Sequence, residues 1–287
     1  MRKLHLATRS TIAATSLSAA ALAVLCASFP TASAATDPHS HAQPAASGLS
    51  NARECRQASL RCVERVIDEM DRRARLLASH CDHDAIFAIA YLRTTETFLS
   101  TAPAIGYDDL PSVVREDALF ADYYLRAFDA YHSNEGAVPP AWQIAFAAAA
   151  STSLPAVGDA FLGFSAHIQR DLPFVLYDLY VQGHPVSHED HTLVNEFLAQ
   201  VDVAGELAAR FDPTYPQQGD LGTIVQWRET AWQNFERLKA ASDIERPLIA
   251  AEIELAAAQS AEFLYLSLAY PVGTDSGERD AYCRAQR

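Results

Sequence analysis

The sequence has no phosphate-binding glycine loop, no CxxC pair and no complete HExxH motif. The first absence removes the commonest nucleotide-hydrolysing cradle, the second a thioredoxin-like redox centre, and the third a zincin protease. His188-Glu189-Asp190-His191 is one residue short of the zincin spacing, and Gly163-Phe164-Ser165-Ala166-His167 lacks the final glycine of a nucleophile elbow. Convincing apolar/polar alternation is missing, so no strand is expected. Neither a repeat period nor an internal Gly/Ser linker is present, which leaves one helical domain as the economical organisation. Positive charge is scarce, with 22 Lys and Arg against 36 Asp and Glu and a net charge of −14. A surface of that sign repels nucleic-acid phosphates and anionic lipid head groups, so no nucleic-acid partner is implied.

What is present begins with the N-terminus. Arg2, Lys3 and Arg9 flank an apolar stretch from Ile12 to Phe29, Pro30 ends it, and Ala32-Ser33-Ala34 supplies the small residues a signal peptidase reads. The pattern predicts a signal peptide over residues 1–34, cleaved after Ala34, and a protein that is secreted or held at the cell envelope. Residues 35–50 are small, polar and proline-bearing, which predicts a disordered lead-in to a single domain over 51–287. Removing 34 of 287 residues leaves 253, with 19 basic against 36 acidic side chains. That is enough chain for one sizeable core.

Cys26 leaves with the signal, and Cys55, Cys62, Cys81 and Cys283 remain. An even count in an exported chain suggests two disulfides, with three possible connectivities. A helix from about Ser59 to Ala78 would hold Cys62 and Cys81 roughly 25 Å apart, far outside disulfide reach. The favoured pairs are therefore Cys55–Cys62 and Cys81–Cys283, with Cys55–Cys81 and Cys62–Cys283 as the remaining alternative.

Helical periods run through the rest, and the expected fold is an all-α bundle of about eight helices. The first carries Leu60, Val63, Ile67 and Met70 at spacings of three and four. Asp84 opens the second, Asp109 with Pro111 the third, and Pro139-Pro140 the fourth. The fifth runs from Pro155 to Arg170 and continues, kinked at Pro173, to Val181. Ser187 with Asp190 starts a sixth that reaches about Phe211. The last two span Asp220 to Ala241 and about Ile244 to Ala269, where Glu252, Glu254 and Glu262 exclude a membrane span.

Seven of the ten histidines fall between His80 and His191. His167 and Asp171, four apart, share one helical face, and Gly163 one turn earlier leaves room there for a ligand or a close neighbour. An imidazole nitrogen and a carboxylate oxygen so placed make a half-site for zinc or another divalent metal. Asp190, His188 and His191 are the candidates for its completion, and Asn195 is a neighbour. Arg93 and Glu96, in an unusually polar helix interior, are candidates for facing a cleft. The plainer reading of His167 and Asp171 is a hydrogen-bonded pair joining two helices.

The segments Tyr91-Leu92-Arg93-Thr94-Thr95-Glu96, Ala141-Trp142, Ala166-His167-Ile168-Gln169-Arg170-Asp171-Leu172-Pro173, and Asp190 with Asn195 resemble a bacterial all-helical family catalogued as a domain of unknown function. The resemblance spans about residues 60–240, and the AHIxxDLP segment is its most specific part. It implies a fold and points to His167, Asp171, Asp190 and Asn195, but to no reaction. A weaker likeness, through Gly163-x-x-x-His167-x-x-x-Asp171, is to zinc-dependent phospholipase C and the P1-type nucleases. Those enzymes place a histidine six residues beyond the aspartate, where this chain has Tyr177. They also use an N-terminal tryptophan, where this mature chain begins at Ala35. The leading expectation is an exported metal-dependent hydrolase of phosphoester type, with a metal-bound water as nucleophile. The alternative is a non-catalytic extracellular module that binds a ligand or partner.

Overall fold

A computed structural model describes residues 48–217, 220–271 and 277–286 of the chain. The described residues are helical, without strands. A single turn, Arg53–Arg56, leads into eleven helices. These are α1 (Leu60–Ser79), α2 (Asp84–Ile105), α3 (Leu110–Ser133), α4 (Pro140–Ser151), α5 (Ala156–Ser165) and α6 (Leu172–Val181). They continue with α7 (His188–Leu198), α8 (Ala204–Arg210), α9 (Leu221–Ala240), α10 (Arg246–Leu268) and α11 (Gly277–Ala285).

The count exceeds the expected eight for local reasons. The fifth expected helix is divided by a π turn, Ala166–Asp171. The sixth stops at Leu198 and resumes at Ala204. Between them lies Val201-Asp202-Val203, two β-branched residues around an aspartate, all weak helix formers. The C-terminal tail adds α11.

The helix starts follow the chemistry of their caps. Asp109 accepts from the Ser112 amide at 3.1 Å, the Ser187 hydroxyl from the Asp190 amide at 3.3 Å, and Asp220 from the Thr223 amide at 3.0 Å. Gly106, at φ +89°, and Asn134, at φ +57°, end α2 and α3 in the left-handed conformation. Helix α1 buries Cys62, Val63, Val66, Met70, Ala74 and Ala78 along α2, while its outer face carries pairs such as Arg75–Asp71. The first half of α2, Ala85–Leu92, is buried all round, as befits the central helix.

The expected signal peptide, residues 1–34, and the lead-in up to residue 47 lie outside the described residues. Residues 48–50 of that lead-in lie against α3, where Asp122 accepts from the amides of Leu49 (2.6 Å) and Ser50 (2.9 Å). Among the described residues no helix is long and apolar enough to cross a membrane. Cys55–Cys62 closes the turn that enters α1, and Cys81–Cys283 joins the α1–α2 turn to α11.

The α5–π–α6 segment threads the middle of the bundle, touching α3, α4, α9 and α10 through its π turn. Its Gly163 is required by a close approach. A Cβ there would lie 2.3 Å from Cδ2 and 2.8 Å from Cβ of Phe87, too near for a simple rotation to relieve. The room foreseen at Gly163 is thus filled by Phe87 of α2. That ring packs edge-on against both Trp142 and His167.

Candidate functional site

Pro173 explains the π turn. In a regular helix its amide would donate to the Gln169 carbonyl, and it has no N–H to give. Widening the helix by one residue relieves the clash, and the Leu172 amide reaches back five residues to the His167 carbonyl. The widened turn carries both residues singled out by spacing. His167 Nδ1 lies 2.9 Å from Asp171 Oδ2.

Asp171 is fully buried and fully occupied. Oδ2 also accepts from Trp142 Nε1 of α4 at 2.9 Å, and Oδ1 accepts from Arg170 Nη1 at 2.9 Å. Arg170 in turn holds Glu254 of α10 at 2.6 Å and lies over the Phe174 ring. Burial opposes the charge of Arg170, but the Glu254 and Asp171 carboxylates raise its pKa above the ordinary value.

His167, 2 % exposed, stacks flat on Phe120 with ring centroids 3.4 Å apart and meets the Tyr91 ring edge-on at 4.6 Å. Burial lowers its pKa, against the pull of the Asp171 hydrogen bond and charge, so the imidazole is neutral. A neutral ring beside an acceptor-only carboxylate puts its proton on Nδ1 and leaves Nε2 as a bare acceptor. Among the described residues that Nε2 is buried and has no partner.

His167 borders a cavity of about 300 Å³. Its wall is largely apolar, with Phe98, Phe120, Phe161, Phe164 and Phe197 prominent. Tyr91, Glu116, Asp117 and Arg228 also line it. The Tyr91 hydroxyl and Asp117 Oδ2 are, like His167 Nε2, buried without a hydrogen-bond partner among the described residues. Buried polar atoms in folded proteins almost always have partners. Three orphans around one apolar cavity therefore mark a place built for a polar guest.

The acids there are neutralised by their surroundings. Burial, reinforced by the Glu116 charge, pushes Asp117 up to about 8. Burial also pushes Glu116 up to about 7, with Arg228 opposing and Asp190 adding. Both side chains keep partial accessibility, and the cavity is a surface they line.

A pH dependence follows. Asp117 ionises near 3.8 when exposed and near 8 in the fold, so between those values only the folded chain holds the proton. Stability from the neutral acid is present below about pH 4 and is lost as pH rises through about 8. Glu116 acts in the same direction between 4.5 and about 7. Asp117→Asn should raise the unfolding free energy at pH 8 by on the order of 1–3 kcal/mol. It should change little at about pH 4. Urea denaturation at the two pH values measures this, and a variant no more stable than wild type at pH 8 would show that Asp117 ionises freely in the fold.

The other residues expected at the site have separate tasks. Asp190 spends both carboxylate oxygens on the amides of Asp108 (2.8 Å) and Asp109 (3.0 Å), holding the loop that precedes α3. His191 is buried with Nε2 at 3.1 Å from the Arg228 carbonyl, and burial followed by the Arg228 charge lowers its pKa well below the usual value. His188 is exposed beside Glu229, at 3.0 Å. Asn195 accepts from Arg228 Nε at 3.1 Å. Arg93 joins Glu96 (2.6 Å) and Glu206 of α8 (2.7 Å), tying α2 to α8, while its neighbours Thr94 and Thr95 line the cavity. Asp171 and Asp190 thus have their oxygens committed to protein donors. Among the described residues no three His, Cys, Asp or Glu side chains gather as a metal would need.

Sequence reasoning missed Tyr91, Glu116, Asp117 and Arg228 as cavity residues, yet two stripes carried the signal. Val113, Glu116, Asp117 and Phe120 follow a three-and-four spacing on α3, as do Ile224, Arg228, Ala231 and Phe235 on α9. A charge on an apolar stripe is the mark of a polar group turned inward.

In comparisons with known proteins, a model described as a family of unknown function (DUF5995) matches residues 63–267. No curated protein and no solved structure matches the chain.

Proposed function

Because the chain belongs to this family of unknown function, we propose its activity from the site alone: general acid–base hydrolysis of a small molecule with a largely apolar body. The carrying observation is His167, whose Nδ1 is held by Asp171 while its buried Nε2 has no partner among the described residues. That arrangement is a positioned base. No Ser, Cys or Thr side chain bonds Nε2 among the described residues, so the attacking group is water rather than a protein nucleophile. Nε2 takes one proton of that water as its oxygen attacks the electrophilic centre. The Asp117 carboxyl, neutral at pH 7, gives its proton to the leaving atom. Water has then been added across one bond, leaving an imidazolium stabilised by Asp171 and an Asp117 carboxylate, which exchange protons with solvent to restore the start.

The hydrolytic outcome is the one the sequence suggested, with His167 in the role first given to a metal. The likeness to zinc-dependent phospholipase C and P1-type nucleases contributes only a helix presenting His and Asp together. Two disulfides are compatible with the exported location expected from the N-terminal pattern, and the reading takes the reaction to occur there.

Ring opening of 5-nitrobenzisoxazole tests the base directly, since this neutral planar probe needs only a base in an apolar cavity. Wild type should exceed the rate in free imidazole, and His167→Gln should lose about 10²–10⁴-fold. Equal rates in the two proteins would end the assignment of His167 as base.

A further inference from the structure

Arg228 has no part in the acid–base step, and its surroundings are unusual for a guanidinium. It is 4 % exposed, it lines the cavity, and among the described residues it makes no ion pair. Its hydrogen bonds go to neutral acceptors: Nε to Asn195 Oδ1 at 3.1 Å, and Nη2 to the His191 carbonyl at 2.7 Å, with His191 Nδ1 at 3.4 Å. Nη1 has no partner among the described residues.

A buried guanidinium without a counter-ion is costly, and burial lowers the Arg228 pKa to about 10, with Glu116 and Tyr107 opposing. The neighbouring acids do little to offset it. Glu116 acts on Arg228 only at a distance, beyond ion-pair range, and burial holds its own pKa at about 7. Two partners on α7, the Asn195 side chain and the His191 carbonyl, fix the orientation of the cation. Charge, burial, a fixed orientation and a donor left over together describe a waiting anion site.

We propose that the cavity takes an amphipathic monocarboxylate, its carboxylate on Arg228 and its apolar body against the phenylalanine wall. This deepens the hydrolytic reading by naming the substrate class, and rests on that reading only for what happens to the ligand after it binds. A guanidinium fork matches a planar carboxylate. A phosphate dianion fits less well, because among the described residues one Arg or Lys lines the cavity, and exposed Asp202 and Asp220 also border it. Protonated Glu116 and Asp117 can donate to a carboxylate rather than repel it. A volume of about 300 Å³ is at the small end for ligand cavities, suited to a body of about eight carbons.

Calorimetric titration of the full chain with octanoate and with octanamide, its neutral counterpart, tests the proposal. Octanoate should bind wild type at least about tenfold more tightly than the amide. Arg228→Gln should bring the two affinities together, and Arg228→Lys should leave a reduced preference. Octanoate binding is read without turnover, and the nitrobenzisoxazole rate is read with a probe that carries no carboxylate, so the carboxylate site and the catalytic reading stand or fall separately. Equal binding of acid and amide by wild type overturns the proposal, whether or not the Arg228 variants fold. Failure of wild type to bind octanoate, or a preference that survives in Arg228→Gln, overturns it as well.

Discussion

Replacing Cys81 and Cys283 together with serine is expected to destabilise the protein by about 5 kcal/mol, the figure chain entropy gives for a closed loop of some 200 residues. Whole domains are commonly stable by about 5–15 kcal/mol, so the loss is a large share. For a chain of this size it corresponds to a fall in melting temperature on the order of 10–20 °C. The bond also secures a buried cluster. Arg279 of α11 reaches Asp159 at 3.2 Å, contacts His83, and donates to the Leu154 carbonyl, while Asp280 meets His83 at 2.9 Å. Burial, with Arg279 opposing, pushes Asp159 up to about 8, and burial with the Arg279 charge lowers His83 to about 4. Freed from the disulfide, α11 would leave these groups partly unpaired. Cys55–Cys62 closes only seven residues, and its removal should cost about half as much. Thermal melts of the two double variants beside wild type decide the matter. Equal losses from the short and the long loop would show that loop entropy is not what the long bond contributes.

The second large effect concerns Asp171→Asn. Three donors converge on this carboxylate, and an amide offers one oxygen and one NH2 in place of two oxygens. With the oxygen towards Trp142 and His167, the NH2 faces the buried Arg170 guanidinium. Turned the other way, the Trp142 N–H loses its acceptor and His167 must shift its proton to Nε2, which points a donor at the cavity. In both arrangements the charge that would stabilise an imidazolium is gone. The nitrobenzisoxazole rate should fall by about 10²–10⁴, comparable to removing His167 itself. Stability should fall by roughly 3 kcal/mol, the order seen when one partner of a buried ion pair is removed. Trp142→Phe is the control, since it deletes one donor and keeps both the carboxylate and the His167 tautomer. If Asp171→Asn keeps its rate and Trp142→Phe loses it, the dyad is not the base.

Much of this architecture was legible in the chain. Asp109, Ser187 and Asp220 are caps recognisable from sequence, and the four-residue spacing of His167 and Asp171 placed them together. A long first helix separated Cys62 from Cys81, and the structure pairs Cys81 with Cys283. What could not be read depended on distant contacts. Nothing local to Trp142 says that its N–H ends on Asp171, 29 residues away. The histidines at 188 and 191 looked like a cluster because they are close in sequence, but one faces solvent and the other faces the α9 backbone. Density of a residue type along the chain is a weak guide to convergence, whereas a charge interrupting an apolar stripe is a stronger one, as Asp117 and Arg228 illustrate.

The π turn has a consequence for how this helix tolerates changes in length. A residue of α-helix advances the chain by about 100°, and Ala166–Asp171 in effect accommodates one residue more than regular winding allows. A chain shorter by one residue between 166 and 171 would still form a continuous helix, and α5 and α6 would each keep their own packing partners. His167 and Asp171 would then stand three apart instead of four, with Pro173 pressed against the carbonyl a turn behind it. The helix would survive such a deletion, and the present alignment of the His167 ring with the Asp171 carboxylate would change.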